Sequence, residues 1–108
     1  MLSRGFRLTG GDEIREVVKL GLRTSNQHLT LHYMISEQPK FAIVVSRAVG
    51  GAVQRNLLKR RARSAIFEIM SVQPVGLNAV LRLRPGSAKA SYAEFLTSIS
   101  ALIKKATQ

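Results

Sequence analysis

Apolar and polar positions recur along this chain with periods that assign most of its elements. Ile14, Val17 and Val18 repeat at helical spacing, and Asp12 and Glu13 sit where a helix dipole favours anions. This predicts a helix over Gly11 to Leu20, with Gly21 just past its end. Leu29, Leu31, Tyr33 and Ile35 alternate with Thr30, His32 and Met34, the period of a strand with two distinct faces. After a turn at Glu37-Gln38-Pro39-Lys40, the run Phe41 to Ser46 is short, apolar and β-branched, as a buried strand requires. These two strands are expected to pair as a hairpin. Gly50-Gly51 then breaks the chain before a long helix from Ala52 to Ser71, which Pro74 and Gly76 close. Leu77 to Leu83 reads as a further strand ended by Arg84-Pro85-Gly86. A last helix runs from Tyr92 to Lys105. Ser91 and Glu94 form a capping box at its start, Tyr92, Phe95, Leu96, Ile99, Leu102 and Ile103 supply its apolar stripe, and Lys104 and Lys105 complement its end.

The predicted fold is a small α/β chain, an α+β two-layer sandwich. A small central sheet packs with three helices, in the order helix, two strands with room for a third, helix, strand, helix. At 108 residues, residues 1–108 are expected to form one domain. Apolar residues make up 45% of the chain, enough for one core. The chain contains no cysteine, which excludes disulfides, thiolate metal sites and cysteine catalysis. There is neither a signal-peptide run at the N-terminus nor an apolar stretch near the roughly 18 residues of a membrane span, so a cytoplasmic protein is expected.

Charge narrows the function. Seventeen Lys and Arg against six Asp and Glu give a formal net charge of +11, which points to a polyanionic partner, nucleic acid before a membrane surface. No acid lies between Gln38 and Phe67, the stretch that holds Lys40, Arg47, Arg55, Lys59, Arg60, Arg61 and Arg63. At about 100° per residue, Leu58, Ala62, Ala65, Ile66 and Ile69 share the arc of the long helix that must face the sheet. Arg55, Lys59 and Arg63 follow one another at i, i+4 and i+8, with Asn56 and Arg60 beside them. Like charges at that spacing destabilise a helix by a few tenths of a kcal/mol per pair. A phosphate backbone removes the repulsion: arginine forks grip phosphate oxygens, lysine adds a point charge, and Asn56 can both donate and accept. No nucleophile–base pair and no paired carboxylates stand out. His28 and His32 make a weak zinc-site candidate.

The stretch Phe41 to Arg63, FAIVVSRAVGGAVQRNLLKRRAR, resembles the protein subunit of bacterial ribonuclease P. Its hallmark is a strand ending in a Ser-Lys-type pair, followed by Val-Gly-x-Ala-Val-x-Arg-Asn-Arg-x-Lys-Arg. Ser46-Arg47 and Val49-Gly50-Gly51-Ala52-Val53-Gln54-Arg55-Asn56 stand in those places, followed by Lys59, Arg60 and Arg63. The similarity continues through the Ile14 to Gly21 segment, Val80 to Pro85 and Ala90 to Glu94. It implies a single RNA-binding domain with a left-handed strand–helix–strand crossover through the basic helix. It also implies a non-catalytic subunit of an endoribonuclease, whose RNA partner performs catalysis with magnesium ions and removes the 5′ leader of precursor tRNA. No protein-bound cofactor is implied, and the protein is expected to be monomeric apart from its RNA. Contacts to the catalytic RNA fall to Ser46, Arg47, Arg55, Asn56, Lys59, Arg60 and Arg63, with Arg82 and Arg84 extending the basic surface. Contacts to the leader fall to a cleft between sheet and first helix, lined by Ile14, Val18, Thr30 and His32, with Tyr33 a lesser candidate.

The chain departs from the family pattern in places. Leu57 replaces the third residue of Arg-Asn-Arg, and Ala48 stands where a second lysine is common. Ile14 and Val18 occupy the positions of two aromatics, and His32 that of a cleft tyrosine, which implies leader contacts that are weaker or more hydrophobic than usual. The other reading that the charge and size allow is a structural RNA-binding protein, such as a small ribosomal protein.

Overall fold

A computed structural model describes Leu8, residues 10–72 and residues 75–107. Along these run α1 (Gly11–Leu20), β1 (Leu22–Ser25), β2 (Leu29–Ile35), β3 (Lys40–Val45), α2 (Ala52–Val72), β4 (Leu77–Leu83) and α3 (Tyr92–Ala106), with short 3-10 turns at Arg47–Val49 and Pro85–Lys89. The predicted elements are all present, and β1 is added to them. Pro74, expected to close the long helix, lies outside the described residues. The capping box is formed: Ser91 Oγ accepts from the Glu94 backbone N–H at 3.2 Å, and Glu94 accepts from the Ser91 N–H at 3.0 Å.

The expected hairpin between β2 and β3 does not form. The sheet order is β1-β2-β4-β3, with β4 inserted between the two. β4 pairs antiparallel with β2 and parallel with β3, so Ile35 lies opposite Leu77 while Lys40 lies opposite Asn78. The Ser36 to Pro39 link therefore passes around the start of β4 instead of turning β2 back onto β3. The reason lies in β4 itself. Leu77, Ala79, Leu81 and Leu83 are buried on one face and Val80 on the other, so this strand needs a neighbour on each edge and cover on both faces. The true hairpin is β1 with β2, in register from Leu22 opposite Tyr33 to Ser25 opposite Thr30.

Strand parity divides the interior. Leu29, Leu31, Phe41, Leu77, Ala79, Leu81 and Leu83 turn to the face covered by α2 and α3. There they meet Leu58, Ala62, Ala65, Ile66 and Met70 of α2 and Phe95, Ile99, Leu102 and Ile103 of α3. The predicted inward arc of α2 is thus correct, with Met70 joining it and Ile69 at its margin. The even positions face the other way. Ala42 and Val80 meet Val17 of α1 and Leu8 in a smaller cluster, with Ile14, Met34 and Val44 packed against it. The two-layer sandwich is formed by the sheet with α2 and α3, while α1 covers part of the reverse face. Leu8 also donates its backbone N–H to the Phe41 carbonyl at 2.9 Å, which occupies part of the open edge of β3.

Two glycines mark places where backbones touch. A side chain on Gly76 would set its Cβ 2.0 Å from the Ser36 carbonyl oxygen, where β2 leaves the sheet beside the start of β4. One on Gly21 would meet the carbonyl oxygens of Val17 and Tyr33 at 2.5 and 2.6 Å. We therefore expect Gly76→Ala to destabilise the fold by about 1–3 kcal/mol, the usual cost of overpacking. Urea unfolding checks this, and a wild-type midpoint for Gly76→Ala would contradict the close approach.

Candidate nucleic-acid interface

The α2 surface follows from burial. Five apolar side chains commit one face of the helix to the core, so every long polar side chain is pushed to the remaining arc. Asn56 and Arg60 are exposed there, and Arg55, Lys59, Arg61 and Arg63 are half-buried, their stems lying along the protein while the charged ends reach out. Among the described residues the one ion pair joins Arg15 to Asp12 on α1, so no carboxylate neutralises the α2 cations. Ser46 and Arg47, both exposed, stand between the end of β3 and the start of α2. Because β3 and β4 are parallel, the turn after β4 comes to the same end of the sheet and brings Lys89 there. The seven predicted RNA contacts therefore lie on one helix and the turn that feeds it.

The other predicted set lies on the opposite face of the sheet. Thr30 and His32 point toward the α1 side, with Ile14 half-buried in α1 and Val18, 37% exposed, one turn further on. Tyr33 does not belong with them. It follows His32 in a strand of period two, so its ring packs against the larger core under α2 and α3. The register adds cations that the linear sequence did not place. Arg23 of β1 lies directly opposite His32, and Arg82 of β4 directly opposite Thr30, so both flank the imidazole on the α1 side. Arg82 therefore lies on the α1 side of the sheet and not on the α2 surface it was expected to extend. Arg84 does something else: its guanidinium donates to the Asn26 carbonyl at 3.1 Å and ties down the β1–β2 turn.

His28 and His32 do not converge. The His28 ring Nδ1 is hydrogen-bonded to Ser98 Oγ of α3 at 2.7 Å, whereas His32 lies on the α1 side of the sheet. Among the described residues no group of three or more His, Asp and Glu side chains is placed to hold a metal ion. His32 is 7% exposed, and its Nε2 and the Oδ1 of Asn78 are buried without a hydrogen-bond partner. Burial, then the guanidiniums of Arg82 and Arg23, hold this imidazole below its ordinary value of 6.5.

The comparisons with known proteins agree with this geometry. The family model described as Ribonuclease P matches residues 2–107. The ribonuclease P protein component of a Nocardioides species is 42% identical over 99 residues, covering 87% of this chain and 85% of that one. That of Acidothermus cellulolyticus is 31% identical over 112 residues, covering all of this chain and 93% of its own. Among solved structures, the RNase P protein of Staphylococcus aureus superposes with a TM-score of 0.84 at 19% identity, covering 95% of this chain and 96% of that one. That of Thermotoga maritima gives 0.83 at 23% identity, covering 92% and 96%. These two establish the fold. Fold and basic surface together define a small α+β protein of the ribonuclease P type. The chain belongs to the Ribonuclease P family.

The His32 environment makes a prediction about pH. A histidine whose folded value is depressed resists protonation in the folded state while the unfolded chain accepts the proton. The stability held above pH 6.5 is therefore lost as pH falls from 6.5 through the folded value. His32→Asn should flatten this decline in unfolding experiments between pH 7 and 5. A profile as steep as that of the wild type would contradict the assignment.

Proposed function

We propose that the chain is the protein component of ribonuclease P and uses its two faces for two RNAs. The α2 face, with Ser46, Arg47, Arg55, Asn56, Lys59, Arg60 and Arg63, binds the catalytic RNA. The α1 face, with Ile14, Val18, Thr30 and His32 flanked by Arg23 and Arg82, binds the 5′ leader of precursor tRNA. The observation that carries this reading is the run of unpaired cations on α2, on a helix whose other face is fully used by the core. In this proposal the RNA performs the cleavage with magnesium ions, and the protein lowers the magnesium requirement and favours precursor over mature tRNA. The unpaired, buried Nε2 of His32 between two arginines suits the α1 face to a single strand, which offers phosphates and unstacked base edges together. The aliphatic Ile14 and Val18 supply contact area without the roughly 1–3 kcal/mol that stacking on an aromatic would add. The protein acts in the cytoplasm as a monomer on its RNA. The ribosomal reading loses its ground, because the relatives described above are ribonuclease P protein components.

The test is reconstitution with the cognate ribonuclease P RNA and a leader-bearing precursor tRNA at low magnesium. Cleavage at the mature 5′ end that requires both protein and RNA is the expected result. Its absence, with the RNA active alone at high magnesium, would defeat the proposal. Arg55→Ala and Arg60→Ala should each weaken RNA binding without lowering the unfolding midpoint. About five phosphate contacts predict a log–log salt slope of roughly −3.5 to −4.5. Val18→Ala and His32→Ala should instead reduce the preference for leader-bearing over mature tRNA, and an unchanged preference in both would remove them from the leader site.

A further inference from the structure

At about 100° per residue, Leu57, Arg61, Ser64 and Glu68 descend one flank of α2, on the far side of its exposed arc from Lys59 and Arg63. This flank meets α3. The Tyr92 hydroxyl, at the first residue of α3, donates to Glu68 Oε2 at 3.1 Å and lies 3.3 Å from Ser64 Oγ. Above these contacts a hollow of about 340 Å³ opens between the two helices, lined by Leu57, Arg60, Arg61, Arg63, Ser64 and Tyr92. An aromatic ring and a leucine form its apolar lining, and three guanidiniums crowd around them. Glu68 is engaged by the tyrosine hydroxyl and forms no ion pair with Arg60 or Arg61. Tyr92 packs in part against the larger core, but the guanidiniums do not serve it, since Leu58 and Ala62 fill the inward side of the same turns.

An apolar wall with cations at its rim has the chemistry of a nucleotide site: a base stacks on the ring and its phosphate takes the arginines. A hollow between two helices suits a base turned out of its strand better than the regular backbone of a duplex. We propose that the α2–α3 hollow holds one unpaired nucleotide of the catalytic RNA, its base against Tyr92 and Leu57 and its phosphate on Arg60 and Arg61. This rests on the reading that α2 binds that RNA and adds a contact on the Leu57–Arg61–Ser64 flank, beside the Arg55–Lys59–Arg63 row, whose Arg63 also reaches the hollow. Arg61 then supplies the cation that Leu57, one turn earlier on the same flank, does not.

The test measures the affinity of the full chain for the cognate ribonuclease P RNA across a salt series. Tyr92→Leu should weaken binding roughly 5- to 100-fold with an unchanged salt slope, since stacking releases no counterions. Tyr92→Phe keeps the ring and should recover most of that loss. Arg61→Gln should weaken binding and reduce the slope by about one unit. If Tyr92→Leu and Arg61→Gln bind like the wild type while Arg55→Ala does not, the hollow is empty and only this proposal falls. If Arg55→Ala also binds like the wild type, the RNA-binding reading of α2 falls with it. If Tyr92→Phe is as weak as Tyr92→Leu, the hydroxyl bonds and not the ring matter, and the stacking assignment is wrong. If only precursor tRNA binding by the assembled enzyme suffers, the nucleotide belongs to the substrate, which overturns the assignment to the catalytic RNA.

Discussion

β4 is the constraint on which the rest of the structure depends. It takes the inner place between β2 and β3, and its side chains alternate between two interiors. Leu77, Ala79, Leu81 and Leu83 hold α2 and α3 on one face, while Val80 sits beneath α1 on the other. Five side chains of this size, each worth about 0.8–3 kcal/mol when withdrawn from water, fix the strand's register against slippage, because a shift of one residue would exchange the two faces. The same register places Arg82 opposite Thr30 and beside His32. The strand that completes the core therefore also builds one of the two proposed RNA surfaces.

The consequence is a division of the molecule by a sheet. α2 displays cations that no carboxylate neutralises on one side, and a buried, unpaired imidazole stands between two arginines on the other. Neither arrangement favours the isolated protein. Like charges repel along α2, and an orphaned buried polar atom costs about 1–3 kcal/mol. Both penalties diminish when phosphate or a base edge arrives. The fold tolerates them because the larger core is built from other residues, so neither surface competes for the packing.

Much of this was legible in the sequence because it is local. The helices follow from period and capping, β2 from its alternation, and the α2 surface from a wheel and an uninterrupted run without acids. What was not legible is non-local. Leu22-Arg23-Thr24-Ser25 is too short to show a period, so β1 and the position of Arg23 emerge only from pairing with β2. Adjacent strands in the chain suggested a hairpin, but β4, more than 30 residues later, separates them. The choice between His32 and Tyr33 needed the identity of the element covering each face. The Arg61 flank acquires meaning only where α3 brings Tyr92 against it.

The absence of cysteine from this chain allows the central claim, two RNAs on two faces, to be measured directly. A single cysteine introduced at Thr30 or at Asn56 can carry a tethered iron chelate that cleaves nearby RNA in the assembled enzyme–substrate complex. The account predicts cuts in the precursor leader from position 30 and cuts in the catalytic RNA from position 56. Cuts in the leader from position 56, with none from position 30, would contradict it.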